Sequence, residues 1–99
     1  MKITKTGSKD STTFVLTGRL DAGTSPKFES ELIPECENIK DITIIFKEVE
    51  YVSSAGLRVL LMGNNVAKDH GGKVTLKNVS AEIMKTFHMT GFSEIFNFE

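Results

Sequence analysis

The sequence predicts an α/β fold: a single mixed β-sheet of four to five strands, an N-terminal hairpin plus parallel strands, packed with three to four helices. Three observations predict it. Lys2–Lys5 and Thr12–Thr17 are β-prone and flank the turn-forming run Gly7-Ser-Lys-Asp-Ser11, as in a hairpin. Beyond them, strand-like runs alternate with helix-like ones, which implies parallel pairs joined by right-handed crossovers. Ile42-Thr-Ile-Ile-Phe46 is a continuous apolar run of strand length, the pattern of a covered central strand.

In chain order, Gly18 breaks the second strand, and Asp21-Ala-Gly-Thr-Ser-Pro26 leads into the first helix. Ser25 suits the N-cap and Pro26 the first helical position, where a missing N–H costs nothing. Phe28, Leu32, Ile33 and Cys36 share a face at helical spacing. Pro34 removes a donor and clashes with the preceding turn, so it predicts a kink, or a stop near Leu32 and a short restart. Lys47–Val52 reads as a connecting segment after the central strand. Ser54–His70 is the strongest helical stretch. Ala55, Leu57, Val59, Leu60, Leu61, Met62, Val66 and Ala67 make it apolar over most of its circumference, hence mostly buried, with Asn64 and Asn65 marking its solvent side. Lys68 and His70 suit the negative end of the helix dipole, and Gly71 the cap beyond it. Lys73–Lys77 alternates as a strand; Ser80 caps a third helix bearing Ile83, Met84 and Phe87, and Gly91 ends it. Phe92, Ile95, Phe96 and Phe98 are too apolar to stay in water and are expected to dock on the core as a short edge strand.

The chain of 99 residues fits one domain spanning 1–99, and its 39% hydrophobic content suffices for one core. Net charge is −1 with acids and bases interspersed, so no basic stripe points to nucleic acid. A lone cysteine, Cys36, excludes an internal disulfide and reads as a small core residue, as Met62 and Met84 read as core filler; Met89, near the chain end, reads either as filler or as an exception to it. With two histidines far apart, His70 and His88, no metal site is expected. No apolar run has the length of a membrane span, and the N-terminus lacks the apolar region of a secretion signal, so the expectation is a soluble cytoplasmic protein. Small size and balanced charge favour a monomer.

The chemistry concentrates in Tyr51-Val-Ser-Ser-Ala-Gly-Leu-Arg-Val-Leu-Leu61. Two adjacent hydroxyls, Ser53 and Ser54, stand where an apolar strand side meets an apolar helix, and Ala55 and Gly56 add little bulk. A helix start presents unpaired N–H groups and the positive end of a dipole, so a phosphate there is stabilised. Two readings of the serines stand side by side: an N-cap pair, or a phosphate acceptor at the helix start. A serine hydrolase is not supported. The Gly-x-Ser-x-Gly elbow is absent, and His70 lies about four helical turns from Ser54. No enzyme activity, catalytic residue or cofactor is expected.

On these residues the chain resembles the STAS domain family, the anti-sigma factor antagonists. Gly18-Arg-Leu-Asp21, the Tyr51–Leu61 segment, Gly71-Gly-Lys-Val-Thr-Leu76 and Gly91-Phe-Ser-Glu-Ile-Phe96 carry the likeness, which covers nearly the whole sequence in the family's order. The family's usual segment reads Asp-Ser-Ser/Thr/Ala-Gly-Leu, its first serine being the phosphate acceptor. Anchoring on Gly56-Leu57 places that acceptor at Ser54, with Ser53 as the second candidate. Ser53 stands where the family often has aspartate, and Ile45 where many relatives have an acid. The resemblance implies partner switching. The unmodified protein binds an anti-sigma factor that is also a serine kinase and so frees a sigma factor. Phosphorylation ends the binding, and a metal-dependent serine phosphatase reverses it. Asp21, Thr24, Ser53, Ala55, Gly56 and Arg58 are the candidates to meet the partner; Asp21 reads equally as ordinary turn chemistry, and Arg58 as a charge that keeps the helix end solvated. The alternative is a STAS adaptor in a transport or sensory complex that is not phosphorylated.

Overall fold

The alternation of β-branched and apolar residues with polar ones builds the sheet, and each helix lays one apolar stripe on it. The computed structural model describes all 99 residues. The elements are β1 (Lys2–Gly7), β2 (Ser11–Leu20), α1 (Ser25–Asn38), β3 (Asp41–Val52), α2 (Ser54–Asp69), β4 (Lys73–Lys77), α3 (Ala81–Thr90), a 3₁₀ turn (Phe92–Glu94) and β5 (Asn97–Phe98). The sheet has five strands in the order β1-β2-β3-β4-β5. β1 pairs antiparallel with β2 as the expected hairpin. The remaining neighbours are parallel, with α1 bridging β2 to β3 and α2 bridging β3 to β4.

Phe14, Ile44 and Leu76 are cross-strand partners, and all three are fully buried. The helices meet this face. The Phe14 and Phe28 rings pack edge to face at 5.7 Å, bringing in α1. Phe46 and Phe87 at 6.4 Å bring in α3. Leu57, Leu60 and Ala67 of α2 complete the layer. Phe87 also packs against Phe96 and Phe98, so the C-terminal segment docks as an apolar patch that ends in the edge strand β5, as its composition predicts. Burial, with Glu35 and Glu37 beside it, pushes the Cys36 thiol up to about 12.

Several elements differ from the sequence reading. β2 does not end at Gly18 but continues to Leu20, with Gly18 at φ +108. β3 does not end at Phe46; Lys47–Val52 is strand, not connection. The reason is visible in the pairing. Val15 faces Ile45 but Thr17 faces Glu48, and Gly18 faces Val49 but Arg19 faces Tyr51, so β3 spends one extra residue at each step. These are bulges, and each inserts a residue into the pleat. The buried positions therefore run Ile42, Ile44, Phe46, then Val49 and Val52, and the period of two is lost where the strand was missed.

α1 runs unbroken through Pro34, with no stop at Leu32. Pro34 lies on the exposed side, away from the Phe28, Leu32 and Cys36 face. Ser25 is not the cap: Thr24 holds that position, and Ser25 is the first helical residue, buried, its hydroxyl without a partner. Asn64 is not on the solvent side of α2 but buried, whereas Asn65 is exposed. Met89 is 87% exposed and so is the exception to the core-filler reading, while Met62 and Met84 are half-buried. The far end of α2 closes as Lys68, His70 and Gly71 predict. Gly71 takes φ +76, its N–H bonds Lys68 O at 3.1 Å, and the Gly72 N–H bonds Ala67 O at 2.7 Å.

Candidate functional site

Because β2 and β3 are parallel and finish side by side, Leu20 beside Val52, the segments that follow them emerge at the same end of the sheet. After β2 the loop Asp21–Thr24 leads into α1, and after β3 the single residue Ser53 leads into α2. The Ser53 N–H donates to Leu20 O at 2.9 Å, so the strand pairing extends to the residue that starts the helix. Ser53 is the N-cap of α2: its backbone is extended, its carbonyl accepts from the Leu57 N–H at 2.9 Å, and its Oγ accepts from the Gly56 N–H at a long 3.4 Å.

Gly56 is required by close approach. A Cβ on it would lie 2.7 Å from Leu20 Cγ and 2.8 Å from Leu20 O. The first turn of α2 thus rests directly on the end of β2. Ala55 beside it is half-buried. Ser54, the first residue of the helix, is exposed, and its hydroxyl takes no part in the hydrogen bonds that hold the cap. The first turn of α2 contains no acidic residue. Arg58 is exposed one turn on, its guanidinium 3.7 Å from Glu29 Oε1 of α1 and 3.4 Å from Met62 Sδ.

The loop before α1 is knotted by its own side chains. Asp21 Oδ1 accepts the N–H groups of Gly23 at 3.0 Å and Thr24 at 3.1 Å. The Thr24 hydroxyl donates to Arg19 O at 2.7 Å and accepts the Asp21 N–H at 3.0 Å. Partial desolvation pulls the Asp21 pKa up. The backbone and side-chain hydrogen bonds of Thr24, the Gly23 amide and the Arg19 charge more than offset it, so the carboxyl is held below its ordinary value. Arg19 lies 3.7 Å from Asp21 Oδ2 and stacks 4.4 Å over the exposed ring of Tyr51, its cross-strand partner.

Sequence reasoning and structure compare plainly here. Asp21 and Thr24 reach the same end of the sheet as Ser53 and Ser54, but spend their side chains on each other and on Arg19. Ser53, Ala55, Gly56 and Arg58 share the first turns of α2 or its cap. The Arg19–Tyr51 stack and the Glu29 contact were missed. Once Lys47–Val52 is read as a connection, Tyr51 has no strand partner, and Glu29 lies on a helix whose facing neighbour the sequence does not show. No group of three or more His, Cys, Asp or Glu side chains is placed to hold a metal ion, and no helix is long and apolar enough to cross a membrane.

A mixed sheet opened by a hairpin, and a small-residue seam where β3 passes straight into α2, define a STAS domain. The family's model matches residues 2–99, and the chain belongs to that family. Within it the chain is similar to the anti-sigma-B factor antagonist of Bacillus subtilis (strain 168), 31% identical over 80 residues that cover 81% of this chain and 73% of the relative. Among solved structures, an anti-sigma factor antagonist from Mycobacterium paratuberculosis superposes with a TM-score of 0.83 at 17% identity, covering 98% of this chain and 83% of that one. The Bacillus cell fate determinant SpoIIAA in its phosphorylated form gives a TM-score of 0.79 at 16% identity, covering 99% and 91%.

Proposed function

We propose that this protein is an anti-sigma factor antagonist switched by phosphorylation of Ser54. The observation that carries the reading is the division of labour between two neighbouring serines. Ser53 is committed to capping α2, while Ser54 stands exposed at the helix start with its hydroxyl free of the cap. The relatives support it: one is named an anti-sigma-B factor antagonist, and another was solved in a phosphorylated form. In this reading the unmodified protein binds an anti-sigma factor serine kinase and thereby releases a sigma factor. The kinase moves the γ-phosphoryl group of ATP onto Ser54 Oγ, the hydroxyl proton leaves, and ADP departs. A metal-dependent serine phosphatase restores the hydroxyl with water. The domain itself catalyses nothing.

The energetics favour a block at the interface over a change of fold. Phosphorylation adds roughly −1.5 to −2 charges at neutral pH. At a helix N-terminus that charge is favourable by about 0.3–1 kcal/mol, so the fold is left in place. Against a closely packed or like-charged partner surface, the same charge costs several kcal/mol. The second effect is larger, so the partner is lost while the domain stands.

Intact mass after incubation with the cognate kinase and ATP tests this. The parent and Ser53→Ala gain one phosphate, and Ser54→Ala gains none. No gain in the parent with any cognate kinase overturns the switch and favours the non-phosphorylated adaptor.

A further inference from the structure

We propose that Arg58 exchanges partners when Ser54 is phosphorylated, leaving Glu29 on α1 to engage the new phosphate on its own helix. The exchange rests on Ser54 being the phosphate acceptor. Residues four apart on a helix are neighbours on its surface, and an anion N-terminal to a cation at that spacing is the favourable order. Ser54 and Arg58 stand in that relation, both exposed. In the unmodified protein the Arg58 guanidinium is spent on Glu29 at 3.7 Å, across the α1–α2 contact. That pair is open to solvent, with side-chain exposures of 64% and 36%, so little holds it together. A phosphate offers more charge and three acceptor oxygens to a planar fork of donors, and outcompetes one carboxylate. Glu29 remains hydrated when released.

The charged pair of the neighbouring loop is already engaged. Arg19 and Asp21 lie 3.7 Å apart and face each other, with Arg19 also stacked on Tyr51. α2 carries no acid in its first turn, and Lys68 lies in its last. The helices stay packed without the ion pair, because Gly63 of α2 sits so close to Leu32 of α1 that a Cβ there would come within 2.7 Å of Leu32 Cδ2. The exchange therefore changes the charge pattern of the surface and leaves the backbone in place: a bare carboxylate appears on α1, and the phosphate is held at a fixed position on α2.

The test uses the full chain with phosphoserine installed at position 54 during translation, followed by ³¹P NMR through the phosphate's second ionisation near pH ~6. Relative to the parent, Arg58→Ala raises the phosphate's apparent pKa by about 0.15–0.4 pH units, and Arg58→Lys recovers part of the shift. The Arg58 Nε–H resonance moves with the phosphate titration in the phosphorylated chain and stays put in the unmodified one. An identical phosphate curve in the parent and Arg58→Ala, or an Arg58 resonance indifferent to phosphorylation, overturns the exchange. Because the phosphoserine is installed without a kinase, failure of enzymatic phosphorylation sinks the switch reading alone, and an unchanged titration curve sinks the exchange alone.

Discussion

At one end of the sheet two helices begin with a pair of hydroxyl residues, Thr24-Ser25 for α1 and Ser53-Ser54 for α2, and the two pairs end up in opposite situations. In α1 the cap residue Thr24 ties the preceding loop together, and Ser25 is 2% exposed with its hydroxyl unpartnered. In α2 the cap residue serves the helix itself, and the following serine faces water. Composition does not separate the two; the approach does. β2 reaches its helix through a self-bonded loop that folds Ser25 inward. β3 passes into α2 through one residue, still hydrogen-bonded to Leu20, which turns Ser54 outward. A hydroxyl at a helix start is common. Its accessibility is decided by the length and bonding of the chain that delivers it.

The largest perturbation of this contrast is at the seam. Gly56→Ala places a methyl against both the side chain and the carbonyl of Leu20, and is expected to cost about 1–3 kcal/mol in urea unfolding. A cost near zero would show that α2 can lift from β2, and the rigid delivery of Ser54 would fail with it. Next come the caps. Thr24→Ala removes the 2.7 Å bond to Arg19 O and the acceptor of the Asp21 N–H, for about 1–2 kcal/mol. Ser53→Ala, losing only a 3.4 Å bond, costs less, about 0.5–1 kcal/mol. The reverse ranking breaks the comparison.

Smaller still are the serines themselves. Ser25→Ala removes a buried hydroxyl that bonds to nothing, so its unfolding free energy is expected to stay within about 0.5 kcal/mol of the parent or to rise. Ser54→Ala, on the surface, also stays within about 0.5 kcal/mol. The two differ in chemistry, since only Ser54 is open to a bulky reagent or kinase. The smallest effect is that of pH at Asp21. Its carboxyl is held below its ordinary value of 3.8, so the stability it lends the loop is present above that pH and is lost as pH falls through the lowered folded value. Asp21→Asn flattens the acid limb of a stability-against-pH curve in that window; an unaltered limb removes Asp21 from the account.

Much of this architecture was legible in the chain. The hairpin, the central strand, α2 with its glycine end, the cap at Ser80 and the docking of the C-terminal phenylalanines all follow from local rules, because in each case pattern and context agree. The misses share a cause: tertiary contact overriding a local signal. Pro34 reads as a break, yet the packed face of Phe28, Leu32 and Cys36 carries the helix through it. Asn64 reads as solvent-facing by chemistry, yet the stripe of Leu57, Leu60 and Ala67 takes it inside. At the site, Ser53 and Ser54 were recognisable as a pair, but which one caps and which one faces water depends on the hydrogen bond from Ser53 to Leu20 O, a contact between residues far apart in sequence.

The two bulges in β3 have a consequence for how this chain can change in length. In the regular stretch Ile42–Phe46, losing one residue would flip every later side chain to the opposite side of the pleat. Losing Lys47 or Glu50 merely irons out a bulge: Glu48 would still follow Phe46 outward, and Val49 and Val52 would still point in. The second half of the strand is thus a place where evolution, or an engineer, can delete without scrambling what lies downstream. The first half offers no such freedom.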